Sequence, residues 1–201
     1  MGILLTMNWG NYTNSNAVSN VIYYVTRTGK RADRADELQG YGGCGIGIYD
    51  NSEDIIQQFL CVQNCYGIKN RGGRRMYHEV FCLDDEEFNG IGCSVTILNQ
   101  IAMECAKIYF NLGHQVVYAI HHDEEKKWHI HFAVNSINFM NGKKWHTSMR
   151  ESAGRGQRFN EILSYCIDKR YRTPLYFQRD LYRFPLYFWG VRCKLDGRTE
   201  M

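Results

Sequence analysis

The chain has 201 residues, 44% of them hydrophobic and 22% charged, with a net charge of +3, a size that suits one ordinary domain able to bury a core without disulfides or a structural metal. No run approaches the roughly 18 to 20 apolar residues of a membrane span, and the opening Met1-Gly2-Ile3-Leu4-Leu5-Thr6 lacks a basic n-region and a cleavage site, so a cytoplasmic protein without membrane insertion is expected. Charge is uneven: residues 150 to 201 hold 11 Lys/Arg against 6 Asp/Glu, residues 1 to 149 hold 13 against 15, and a basic aromatic tail of this kind can pair phosphates with charge and bases with ring faces.

In chain order, Ala17, Val18, Val21, Ile22 and Val25 recur at helical spacing behind Asn14-Ser15-Asn16, which supplies N-caps and puts Tyr24 near the helix C-terminus. Residues 44 to 49 alternate like a strand, and Asn51-Ser52-Glu53-Asp54 opens a helix carrying Ile55, Ile56, Phe59, Leu60 and Val62. The basic glycine loop Arg71-Gly72-Gly73-Arg74-Arg75 leads into a strand from Met76 to Leu83 that holds His78 and Glu79, ended by the charge run Asp84-Asp85-Glu86-Glu87. A long helix over about residues 94 to 111 stops before Gly113. Residues 115 to 121 and 128 to 137 read as antiparallel strands joined by the charged turn 123 to 127, and an Asn141-Gly142 turn introduces a further strand with Trp145 and His146. Strands broken by long helices, with hairpins at the centre, predict an α+β fold: a central antiparallel sheet flanked by helices. One domain over 1–201 is expected, with 150–201 a basic aromatic C-terminal helical segment. The eight cysteines (44, 61, 65, 82, 93, 105, 166 and 193) include no Cys-x-x-Cys pair and are expected as thiols, several standing where an apolar residue would serve and Cys61 and Cys65 acting as small hydrophobes.

The chemistry concentrates between residues 121 and 131. His129 and His131 are two apart in a strand, so both imidazoles leave the same sheet face. A paired strand brings a third histidine beside them, His121 or its neighbour His122, which point to opposite faces. Three neutral imidazoles around one point leave coordination positions open for water or substrate oxygens, as a catalytic metal requires. Asp123, on the turn, is placed to orient one imidazole from behind.

The pattern Ile120-His121, seven residues, His129-Ile130-His131-Phe132, then Asn135-Ser136-Ile137-Asn138 resembles the histidine motif of mobilisation relaxases of plasmids and conjugative transposons (Mob/VirD2-like), members of the HUH endonucleases. Tyr24-Val25-Thr26-Arg27 is similar to the motif holding their nucleophile, and His78-Glu79-Val80 to a short acidic strand motif of some members. Order and spacing match over roughly residues 15 to 140. Lys126 or Lys127 stands where many relatives have a further histidine, and relatives commonly carry long C-terminal extensions.

The resemblance implies an RRM-like core and a DNA-nicking and rejoining enzyme acting at an origin of transfer to start conjugative mobilisation. A divalent metal, Mn²⁺ or Mg²⁺, on His121, His129 and His131 would bind the scissile phosphate, and Tyr24 would attack phosphorus to leave a 5′-phosphotyrosine and a free 3′-hydroxyl. Glu79, or else Asp123, is the expected base, since a phenol titrates near ~10 in water. Asp123 and Asn135 are expected behind the ligands, and Arg27, Arg71, Arg74, Arg75, Arg155 and Arg158 on the DNA. Single-stranded or origin DNA, accessory nicking proteins and a conjugation coupling protein are the implied partners. Tyr23 adjoins Tyr24, but about 100° apart on a helix only one of the two faces the metal. One rival reading is a rolling-circle initiator or transposase using Tyr165, with Lys169 one turn later; another is a noncatalytic single-stranded nucleic-acid-binding module.

Overall fold

The computed structural model describes residues 1–8, 12–47, 51–67, 72–123 and 127–168. Its centre is a five-stranded antiparallel sheet of β1 (Ile3–Thr6), β2 (Leu38–Cys44), β3 (Met76–Leu83), β4 (His114–His122) and β5 (Trp128–Asn138), in the order β1-β3-β5-β4-β2. The expected α+β class with helices flanking an antiparallel sheet is what the chain adopts.

Helices cover both faces, which is why β4 and β5 are apolar on both sides and read as near-continuous hydrophobic runs. On one face lie α1 (Ala17–Thr26) and α2 (Ser52–Cys65), whose Val18, Val21, Ile22, Val25, Ile55, Ile56 and Phe59 pack on Met76, Val117, Ala119 and Ala133. On the other lie α4 (Val95–Asn111) and α5 (Met149–Ile167), whose Leu98, Ile101, Tyr109, Phe159 and Leu163 pack on Phe81, Tyr118, Ile120, Ile130 and Phe132. The strand period of two divides the residues: 129, 131, 133 and 135 of β5 face α1 and α2, while 130, 132 and 134 face α4 and α5.

Two expectations about elements are corrected. The strand placed at 44 to 49 is β2, ending at Cys44, because Gly45 turns the chain at φ +72°. Its glycines argue against a strand by propensity, yet Tyr118 lies so close over Gly42 that a Cβ there would stand 2.3 Å from the phenol oxygen, so packing selects glycine. The charge run ends β3 at Leu83 as expected and also opens a short helix, α3 (Asp85–Gly90), in which Asp84 and Glu87 form a capping box. Beyond Gly142 a single bridge, Ile137 to Lys144, replaces the expected strand. Two short elements had no sequence signal: β1, and the 3-10 segment Gly29–Glu37. Of the cysteines, 44, 82, 93, 105 and 166 are free thiols, whereas Cys61 is disulfide-bonded, contrary to expectation. Residues 169 to 201, and with them most of the basic aromatic tail and Lys169, lie outside the described residues. No helix among the described residues is long and apolar enough to cross a membrane.

Candidate metal centre and nucleophile

Antiparallel register sets His121 of β4 directly opposite His129 of β5, with His131 two residues on. All three imidazoles leave the face covered by α1, and their ring centroids lie 4.3 to 5.5 Å apart. One nitrogen from each falls within 4.8 Å of the others, a group able to hold a metal ion. His122 points to the opposite face and stacks on Trp128 at 4.3 Å, which separates it from the cluster.

Each imidazole has one nitrogen committed behind it. His121 Nε2 donates to the Val25 carbonyl at 2.7 Å, and His129 Nδ1 to the Lys127 carbonyl at 2.9 Å. His131 Nδ1 lies 2.8 Å from Nε2 of His78. The opposite nitrogens of the two buried rings, His121 Nδ1 and His131 Nε2, are buried with no hydrogen-bond partner among the described residues. Orphaned buried nitrogens are costly unless something fills the site. Burial holds His121 down to about 3 and His78 down to about 4, and His131 well below the usual imidazole value, so near neutral pH these rings are uncharged and offer lone pairs. The donor set thus fits a divalent transition ion. The small Ala119 and Ala133 beside the cluster let α1 pack closely, bringing the Val25 carbonyl to His121.

Tyr24, in the last turn of α1, turns its ring edge-on to His131 at 5.5 Å and to His78 at 5.7 Å. Tyr23 turns away and donates its hydroxyl to Glu53 at 3.2 Å. Two guanidinium groups lie over the Tyr24 ring, Arg27 at 4.6 Å and Arg31 at 5.5 Å. Arg27 is buried in a left-handed turn at φ +52°, where it pairs with Glu37 at 2.7 Å and donates to the Tyr24 carbonyl at 3.0 Å. Its work is to hold the end of α1 rather than a phosphate. Arg31 is exposed. Sequence reasoning missed it, although Lys30, Arg31 and Arg34 crowd directly behind the tyrosine motif.

A match to the family model described as "Relaxase: MobA/VirD2-like, nuclease domain" covers residues 24–164, from Tyr24 to the last turns of α5. The chain belongs to this relaxase family. A search of curated proteins finds no match. Membership of a nuclease-domain family places the chain among proteins that nick DNA in mobilisation.

Several other expected relaxase residues stand elsewhere. Glu79 is a correction: in β3 it pairs with Phe132 and faces α4 and α5, on the far side of the sheet from the histidines. Fully buried there, it accepts from Tyr109 at 2.6 Å, Thr6 at 3.0 Å and Arg155 at 2.5 and 3.1 Å. It cannot reach Tyr24 as a base, and Arg155, buried against it, cannot reach DNA. Asn135 is also corrected: it bonds Phe59, Gln63 and Gln115, fastening α2 and β4 to β5 away from the ligands. Arg74 is committed to the carbonyls of Met7 and Met76 and lies over the rings of Tyr12 and Tyr77. Arg75 is partly exposed, Arg158 is exposed, and Arg71 lies outside the described residues. Tyr165, in the α5 layer, is across the sheet from the histidines, which counts against the initiator reading. Asp123, directly after β4, has a buried carboxylate oxygen with no hydrogen-bond partner among the described residues.

Proposed function

We propose that this relaxase nicks and rejoins one strand at an origin of transfer through a 5′-phosphotyrosine on Tyr24, with a divalent metal, Mn²⁺ or Mg²⁺, held by His121, His129 and His131. The observation that carries the reading is the placement of Tyr24 edge-on to His131 on the same sheet face as the three-histidine group. A metal held there supplies Lewis-acid stabilisation of charge on the phosphate oxygens. Tyr24 Oη forms the new bond to phosphorus while the bond to the 3′-oxygen breaks, and that oxygen leaves as the 3′-hydroxyl after taking a proton. Rejoining is the reverse. Asp123 is the carboxylate left to accept the phenol proton, now that Glu79 is on the other face. Arg27 and Arg31 lie over the ring and hold it in place beside the histidines. Arg31 and Arg75 are the cations available to the DNA backbone on the histidine side, Arg158 being exposed on α5 across the sheet and Arg71 outside the described residues. Residues 1–201 are read as one relaxase domain working in the cytoplasm with accessory nicking proteins and a coupling protein.

The test is to incubate wild type, Tyr24→Phe and Tyr165→Phe with a labelled origin single strand and Mn²⁺ or Mg²⁺. Tyr24→Phe should bind DNA and metal but yield no covalent product, and Tyr165→Phe should behave as wild type. Mass spectrometry of the trimmed adduct should find the nucleotide on the Tyr24 peptide. A nucleotide on Tyr165, or DNA binding by wild type with no scission, would replace this reading with the initiator or the noncatalytic module.

A further inference from the structure

His78 is a buried histidine that the metal triad does not use. It sits on β3 opposite Ala133, its Nε2 2.8 Å from His131 Nδ1 and its Nδ1 3.2 Å from the hydroxyl of Tyr12. Tyr12 in turn lies under the Arg74 guanidinium, 4.3 Å from its ring centroid. Three groups thus stand in line behind one prospective ligand.

The other two ligands are backed by carbonyls, Val25 for His121 and Lys127 for His129. A carbonyl only accepts, so each of those rings must carry its proton on the rear nitrogen and keep a lone pair at the front. His131 is backed by another imidazole, which can donate or accept, and then by a hydroxyl, which can do either. Its tautomer is therefore decided by the chain behind it. For His131 to ligate through Nε2, its one proton must sit on Nδ1 and His78 Nε2 must accept it. His78 then carries its own proton on Nδ1, and the Tyr12 oxygen must accept that one.

The geometry points to His78, backed by Tyr12, as a positioning residue that fixes the tautomer and ring orientation of His131 for metal ligation. The inference rests on the reading that the triad holds a metal. Because the backing group is an uncharged imidazole rather than a carboxylate, it orients the ligand without adding negative charge beside the metal, so the ion keeps its attraction for phosphate. Arg74 acquires a role here, clamping Tyr12 rather than binding DNA.

The experiment measures Mn²⁺ affinity calorimetrically for the full chain as wild type, His78→Phe, His78→Gln and Tyr12→Phe, with the unfolding midpoint of each. His78→Phe should weaken binding roughly 10- to 100-fold, the usual range for removing such a partner. Gln, whose terminal oxygen can accept where Nε2 did, should restore most of the loss, and Tyr12→Phe should lose less than His78→Phe. Unchanged binding by His78→Phe, or equal loss by Phe and Gln in folded proteins, overturns the proposal while leaving the metal reading intact. Absence of Mn²⁺ binding by wild type overturns both. If His78→Phe does not fold, nitrogen-15 spectra of the Zn²⁺-loaded wild type decide. His131 bound through Nε2, with protons on Nδ1 of both His131 and His78, supports the proposal; His78 protonated on Nε2 overturns it.

Discussion

The two faces of the sheet each bury a polar cluster, and the clusters differ in one respect. On the α4 and α5 face, both oxygens of Glu79 are satisfied by Thr6, Tyr109 and Arg155, so the network is closed and has nothing left to offer a ligand. On the α1 face, His121 Nδ1 and His131 Nε2 are buried and unpaired among the described residues, while every ring is held from behind. A satisfied buried cluster specifies packing; an organised but unsatisfied one keeps lone pairs able to take a ligand. The contrast explains why Glu79, adjacent to His78 in sequence, has a different role from it.

The sharpest way to break that comparison is to remove the unsatisfied cluster. Replacing both His129 and His131 by alanine should abolish nicking and Mn²⁺ binding while circular dichroism shows the fold retained, because His129 is only partly buried and the rest of β5 is held by its neighbours. Nicking at wild-type rate by the double variant would remove the metal centre from the mechanism.

The closed cluster should respond in the opposite sense. Glu79→Ala leaves the Arg155 charge buried without its partner, which should cost about 3 to 5 kcal/mol of unfolding free energy in urea. Replacing Glu79 and Arg155 together by methionine should recover most of that loss, and the folded double variant should still nick. A nicking defect in stably folded protein would return Glu79 to the chemistry.

Smaller effects separate the cationic groups. If Arg31 contacts a phosphate, Arg31→Ala should flatten the salt dependence of single-strand affinity by about 0.7 in log–log slope, the value for one contact. In the methionine double variant, which lacks the Arg155 charge, the slope should match wild type. The reverse result would move the DNA track to the α5 side of the sheet.

The smallest expected effect concerns His114, which is buried in β4, donates to the Asn135 carbonyl at 2.9 Å and is held below the usual histidine value by burial. A group that protonates more readily unfolded than folded makes the protein less stable as pH falls below about 6.5. His114→Gln should therefore lose less stability than wild type between pH 7 and 5, by at most about 1.4 kcal/mol per pH unit. Parallel pH profiles for the two proteins would show that His114 does not contribute.

Much of this was written in local pattern. The apolar runs of β4 and β5 on either side of a charged turn and the helical stripes of α1, α2 and α4 carry the fold class, and side-chain direction follows from backbone geometry alone. The same rule puts His129 and His131 on one face. What lay beyond it was every choice between equivalent neighbours. Whether His121 or His122 joins the cluster depends on β4 register against β5, whether Tyr24 or Tyr23 faces it depends on how α1 is rotated, and which face Glu79 takes follows from the pairing of β3. β2 was obscured because Gly42 is selected by the Tyr118 ring above it and Gly43 by the Val116 carbonyl beside it, contacts between residues far apart in the chain. His78 was read only as the neighbour of Glu79, since a hydrogen bond to His131 across 53 positions leaves no trace in spacing. The sequence by itself determined which residue types were present and which strand face each could take. Only the tertiary structure decided which face looks onto the three-histidine group, because register and helix rotation are set by the packing of the whole core.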